Sequence, residues 1–191
     1  AQFGYDTQNL YGRFEVTDDT PLQNEATEVT LAFKGGDTIG LALGPGAGKD
    51  KPAEGDIRLM IASIRGQPRV VAMKAVTRGA KQPFEYTTPA AGTVAFEFVG
   101  EVPGAKARAD KTAKGYVAMF AVPRAFLEFD LKPATLRGDV ELRLSGAGQR
   151  GIQATSRNYL FTPSRTETSM VDDIPTEARL YPAYWGAIEV K

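Results

Sequence analysis

Two residue types are missing altogether from this chain of 191 residues: cysteine and histidine. Without cysteine there is no disulfide, no thiolate zinc site, no c-type haem attachment and no cysteine nucleophile. Without histidine there is no Ser-His-Asp triad, no imidazole metal ligand and no usual general base near neutral pH. Zinc and copper are poor candidates on both counts, whereas hard cations bound through oxygen stay open. Tryptophan occurs once. Neither sign of charge is in excess: 23 Lys and Arg balance 23 Asp and Glu, so nothing in the bulk charge points to nucleic acid. No apolar run approaches the ~20 residues of a membrane-spanning helix. The opening AQFGYD has neither the basic nor the apolar region of a signal peptide. The expectation is therefore that a leader has been removed or that the chain is a piece of something longer. Missing cysteine suits a periplasmic or extracellular protein as well as a cytosolic one.

What is present is ordinary for a globular domain, with 42% hydrophobic and 24% charged residues. A chain of this length buries about 70% of its unfolded surface, enough for one substantial core. The organising stretch is LYGRFEVTDDTPL, residues 10–22. Leu10, Gly12, Phe14 and Val16 alternate with Tyr11, Arg13, Glu15 and Thr17, the period of a strand with one buried face. Residues 1–5 pair back on it as a hairpin across an Asp-Thr-Gln-Asn turn. The clearest hairpin joins residues 56–64 to 68–76. Further strands are expected at 29–33, 38–43, 84–88, 94–99, 105–109, 116–122, 136–144, 152–161 and 184–190. Gly40 marks a bulge or a close approach. Short helical turns are expected at 123–129 and 176–179. Ten to twelve short strands with recurrent turn signals predict an all-β chain, an antiparallel β-sandwich of jelly-roll-like kind with one or two short helices. No repeat or linker divides residues 1–191, so a single domain is expected.

Few motifs carry chemistry. GPGAGKDKPAEG, residues 44–55, fails the phosphate-loop pattern because Asp50 follows Gly48-Lys49 and Leu43 stands where the first glycine belongs. Two acidic corners, Asp18-Asp19 and Asp172-Asp173, are candidate calcium ligands, the first with help from Glu15 or Asp37. Against that, paired aspartates also end strands through Asx turns, and neither pair has EF-hand spacing. Glu97 and Glu101 are a conceivable acid–base pair, but nothing places them about a cleft.

Several phrases together resemble a known family. YDTQNLYGRFEVTDDTPL, GDTIGLALGP, GYVAMFAVPRAFL and VDDIPTEARLYPAYWGAIEV are similar to successive elements of family 9 carbohydrate-binding modules and their DOMON-like relatives. The resemblance covers nearly the whole chain. It implies a bacterial extracellular or periplasmic sandwich that binds rather than catalyses, forms one domain of a larger protein and here lacks its first strand.

The resemblance implies a polysaccharide or glycan as partner. The aromatic candidates for a sugar platform are Trp185, Tyr184, Tyr181 and Tyr159, with Arg157 and Asn158 to meet hydroxyls. Equally, such aromatics belong in the core or at its rim. The family's clamp of two tryptophans does not carry over to a chain with one. Some relatives hold b-type haem through methionine, which here would need Met73 with Lys74 or Lys111; packing is the commoner role of methionine. The expectation is a noncatalytic carbohydrate-binding module with possible structural calcium. The alternatives are an assembly domain of an envelope protein and, last, a haem electron carrier.

Overall fold

The computed structural model describes residues 1–45, 50–75, 82–131, 136–146, 154–163 and 173–189. Among them are thirteen strands and two short α-helices, and every strand pair is antiparallel. A four-stranded sheet is built from β1 (Gln2–Tyr5), β2 (Asn9–Thr17), β10 (Gly115–Pro123) and β9 (Lys106–Thr112), in that spatial order. A larger sheet runs β12 (Ser156–Tyr159), β11 (Arg137–Leu144), β3 (Thr38–Gly44), β4 (Ile57–Ile64), β5 (Gln67–Lys74) and β8 (Phe98–Glu101). The two-residue β13 (Gly186–Ala187) also pairs with β11. A separate hairpin joins β6 (Phe84–Thr88) to β7 (Gly92–Phe96).

The principal core lies between the two sheets. Leu10, Phe14, Ala118 and Phe120 from the small sheet meet Ile39, Leu41, Leu59 and Ile61 from the large one. Burying each large apolar side chain contributes about 2 kcal/mol. Strand β2 shows the alternation expected of one buried face. Strands β3 and β4 do not, because the large sheet is covered on both sides. Its outer face carries a second core of Met60, Val71 and Met73 beneath Phe33, Tyr86, Phe96, Leu180 and Trp185. Phe33, Tyr86 and Phe96 meet edge to face at centroid distances of 5.5 and 5.9 Å.

That covering layer explains where the sequence reading departs from the structure. Residues 29–33 are not a strand: Val29–Leu31 form a 3₁₀ turn that drops Ala32 and Phe33 into the outer core. Asn24 closes this loop by donating to the carbonyls of Ala32 and Asp37. Residues 94–99 split between β7 and β8, which belong to different sheets. Of the last strand expected at 184–190, only Gly186–Ala187 form a strand, β13; Tyr184 ends a 3₁₀ turn, Pro182–Tyr184, and residue 190 lies outside the described residues. The helical turns form as α1 (Arg124–Leu127) and α2 (Ile174–Ala178). The clearest hairpin closes on Arg65 and Gly66, both at positive φ, 52° and 74°. Two residues of that hand match the twist of the strands they join.

Gly12 sits on the inner face, where an added Cβ would lie 2.3 Å from the Phe120 ring. Gly12→Leu is expected to overpack this core and cost about 1–3 kcal/mol. Urea unfolding should show a lower midpoint with an unchanged slope.

Candidate functional site

The outer face of the large sheet holds charge inside its apolar cover. Arg58 on β4 and Glu141 and Arg143 on β11 point to this side, on either side of β3. Small residues on β3, Gly40 and Ala42, leave the path between them clear. A Cβ on Gly40 would stand 2.4 Å from the Glu141 side chain, so the glycine marks a close approach. Arg58 forms a two-pronged bond to Glu141, with both N–O distances 2.6 Å.

Helix α2 lies over these residues. Asp173 caps its start by accepting from the Thr176 backbone and hydroxyl, and its other oxygen accepts from Thr88 at 2.7 Å. Glu177, fully buried, then points at the sheet. Its carboxylate accepts from Arg143 at 2.8 Å, Lys34 at 2.7 Å and Arg157 at 2.9 and 3.0 Å. Its backbone carbonyl accepts from Arg58 and Arg143, each at 3.0 Å. Arg143 also donates to the Phe33 carbonyl and the Tyr159 hydroxyl. Burial acts to raise the Glu141 carboxyl pKa, but the Arg58 and Arg143 guanidiniums outweigh it and hold the group below its ordinary range. For the Tyr159 hydroxyl, burial prevails and raises the pKa despite Arg143.

The aromatic candidates gather beside this lattice. Trp185 is 2% exposed and its carbonyl accepts from Arg137, so its ring has no open face to offer a ligand. Tyr159 and Tyr181 join it around a cavity of about 30 Å³. A water molecule fits such a space, whereas small-molecule sites usually span about 300–1,000 Å³. Arg157 faces Glu177, and Asn158 lies on the exposed side of β12. Tyr184 alone of the group turns outward, 45% exposed, its ring 6.3 Å from that of Tyr181.

The acidic corners are less complete. Asp18 accepts from the Asp19 backbone and the Thr20 hydroxyl, while Asp19 itself is exposed. Buried Asp37 already receives three donors, from Gln23 and from the backbone and hydroxyl of Ser145. Partial burial raises the pKa of Asp18, and the charge of nearby Asp37 adds to the effect. Asp172 lies outside the described residues, and Asp173 is engaged as a helix cap. Among the described residues no three acidic side chains converge, and the oxygens of Asp18 and Asp37 fall short of the six to eight that calcium takes. These residues do not by themselves make the expected site.

The haem candidates diverge. Met73 lies in the outer core, whereas Lys74 points between the sheets to the Phe126 carbonyl at 2.6 Å and Glu128 at 3.2 Å. Lys111 is exposed on β9. Glu101 pairs with Arg69 at 3.8 Å on the exposed edge, and Glu97 stands between β7 and β8.

Sequence reasoning missed Arg58, Glu141, Arg143 and Glu177. The available signal was opposite charges embedded in apolar strands, IRLMI and VELRL, at positions of one parity. Comparison with protein-family models, curated protein sequences and solved structures finds no match.

Glu177→Gln removes the charge that Lys34, Arg143 and Arg157 share. Urea unfolding is expected to show a loss of about 3–5 kcal/mol, the usual result of uncoupling a buried pair. For Glu141, a folded-state pKa below the ordinary 4.5 means that its contribution is complete above that pH and fades as pH falls through the lower folded value. Glu141→Gln should therefore flatten the acid side of the stability–pH profile.

Proposed function

We propose that this chain is a noncatalytic glycan-binding module, an extracytoplasmic sandwich that attaches its parent protein to polysaccharide. The observation that carries the reading is Tyr184, an outward-facing aromatic anchored on a buried aromatic cluster. Pro182 begins its turn, Tyr181 backs the ring and buried Trp185 fixes the residue that follows. An aromatic held from behind offers a flat apolar face at small entropic cost. Trp185 anchors the chain next to Tyr184, whereas Arg157 and Tyr159 are engaged with Glu177 and Arg143 in the layer beneath. The likeness to family 9 carbohydrate-binding and DOMON-like domains is part of this proposal.

A binding role also suits the carboxylates. Glycoside hydrolysis needs a carboxylic acid that keeps its proton near neutral pH, opposite a second carboxylate. Glu141 and Glu177 are instead tied to guanidiniums, and Asp139 accepts from three successive backbone N–H groups, those of Leu160, Phe161 and Thr162.

Affinity electrophoresis through a panel of soluble polysaccharides tests the reading. The wild-type chain is expected to be retarded by at least one of them, and Tyr184→Ala to lose about tenfold in affinity. The emission of Trp185 should stay constant through the titration, since its ring is buried. Absence of retardation across the panel would sink the proposal.

A second reading, an assembly domain without sugar binding, has its own observation. An apolar groove of about 380 Å³ opens at the sheet edge, lined by Phe3, Val140, Leu142, Leu160, Phe161 and Ile188. Leu160 there is 63% exposed. Self-association in sedimentation that Leu160→Asp abolishes, together with failure to bind glycans, would favour it.

A further inference from the structure

The outer face of the four-stranded sheet is open, and its side chains fall into rows. Register sets Gly4, Tyr11 and Ala121 side by side across β1, β2 and β10. Two residues along the strands, Gln2, Arg13, Met119 and Arg108 form the next row. The intervening residues, among them Phe3, Leu10, Phe14 and Phe120, face the core, which fixes the outward direction of these rows.

Tyr11 is 40% exposed, and its ring is held in place. Its hydroxyl donates to Asp6 Oδ2 at 2.8 Å and accepts from Asn9 Nδ2 at 3.3 Å. Asp6 is fixed in turn, its Oδ1 accepting from the backbone N–H groups of Gln8 and Asn9, both at 2.7 Å. The bonds from Asn9, Gln8 and Tyr11 hold the Asp6 carboxyl below its ordinary range, so it stays an ionised acceptor. The small residues beside Tyr11 leave its flanks uncovered, and a shallow groove of about 340 Å³ runs past it. Charge on the face is largely balanced: Arg13 pairs with Glu15 at 3.4 Å and Arg108 with Asp110 at 2.7 Å, and the further cation in these rows, Lys106 opposite Ala121, lies on β9, two strands from Tyr11. A pinned aromatic next to a row of hydrogen-bonding groups, with little net field, matches an uncharged ligand that has one apolar face and many hydroxyls.

We propose that this sheet face is a second glycan-binding surface, taking a neutral polysaccharide chain with one sugar ring stacked on Tyr11 and its hydroxyls bonded by Gln2 and Arg13. The proposal rests on the glycan-binding reading above but not on the Tyr184 site. Two surfaces on one module would let a single chain, or two, be held with more than the affinity of either.

Affinity electrophoresis of the intact chain tests this with xylan, mixed-linkage β-glucan and galactomannan as neutral probes and alginate and polygalacturonate as acidic ones. Tyr11→Ala is expected to lose about tenfold in affinity for a neutral probe, and Tyr11→Phe, which keeps the ring, much less. Gly4→Val covers the flank of the ring without altering it and should reproduce the Tyr11→Ala loss, which also decides the matter if Tyr11→Ala folds poorly. Circular dichroism and the melting temperature of Gly4→Val should match wild type. Loss in the Tyr11 and Gly4 variants supports this surface, whether Tyr184→Ala also loses affinity, as the first reading expects, or keeps it. Full binding in Tyr11→Ala and Gly4→Val, with loss in Tyr184→Ala, overturns it and leaves the first reading standing. Binding to no probe overturns both, and binding only to the acidic probes overturns the assignment of a neutral ligand.

Discussion

The buried carboxylate of Glu177 ties the outer layer of this protein to its large sheet. Helix α2 has five residues, far fewer than an isolated helix needs to persist in water. It is kept by its two ends. Asp173 satisfies the first turn, and Glu177 brings four cationic side chains from four different segments onto one residue. A buried anion is tolerated only where donors surround it, and here they do. The pairing also works in reverse, because Arg58 and Arg143 would be costly to bury without Glu141 and Glu177. Sheet, helix and 3₁₀ turn therefore stabilise one another.

From this follows the asymmetry of the two sheets. The large sheet is sealed on both faces, by the small sheet on one side and by the outer layer on the other. Its central strands β3 and β4 carry apolar residues at most positions, and the charge buried among them, Arg58, is bonded to Glu141 and to the Glu177 carbonyl. The small sheet keeps the plainer arrangement, with one face packed and one wet.

Much of the fold was legible in the residues. The alternation in 10–16 and the proline before α1 correspond to real elements, and the hairpin read over 56–64 and 68–76 forms as Ile57–Ile64 and Gln67–Lys74. So does the close approach at Gly40. What escaped was the outer layer. Val29, Leu31 and Phe33 alternate as a strand does, yet a 3₁₀ turn forms because Phe33 has a second core to enter. Short-range periodicity carries no information about a layer assembled from distant segments. The site was harder to read for the same reason. Trp185 and Tyr184 are neighbours in sequence with opposite surroundings, one sealed and one exposed. Arg58 and Glu141 look like surface charges until the strand order brings them together across Gly40.

Because the large sheet and its lattice hold the fold from both sides, the outward side chains of the small sheet take little part in holding it. Residues such as Gln2, Tyr11 and Arg13 can be exchanged with small effect on the core beneath them. That separation leaves one β-surface whose side chains can change without loosening the body of the protein, so the demands of folding and the chemistry displayed on that surface fall on different residues.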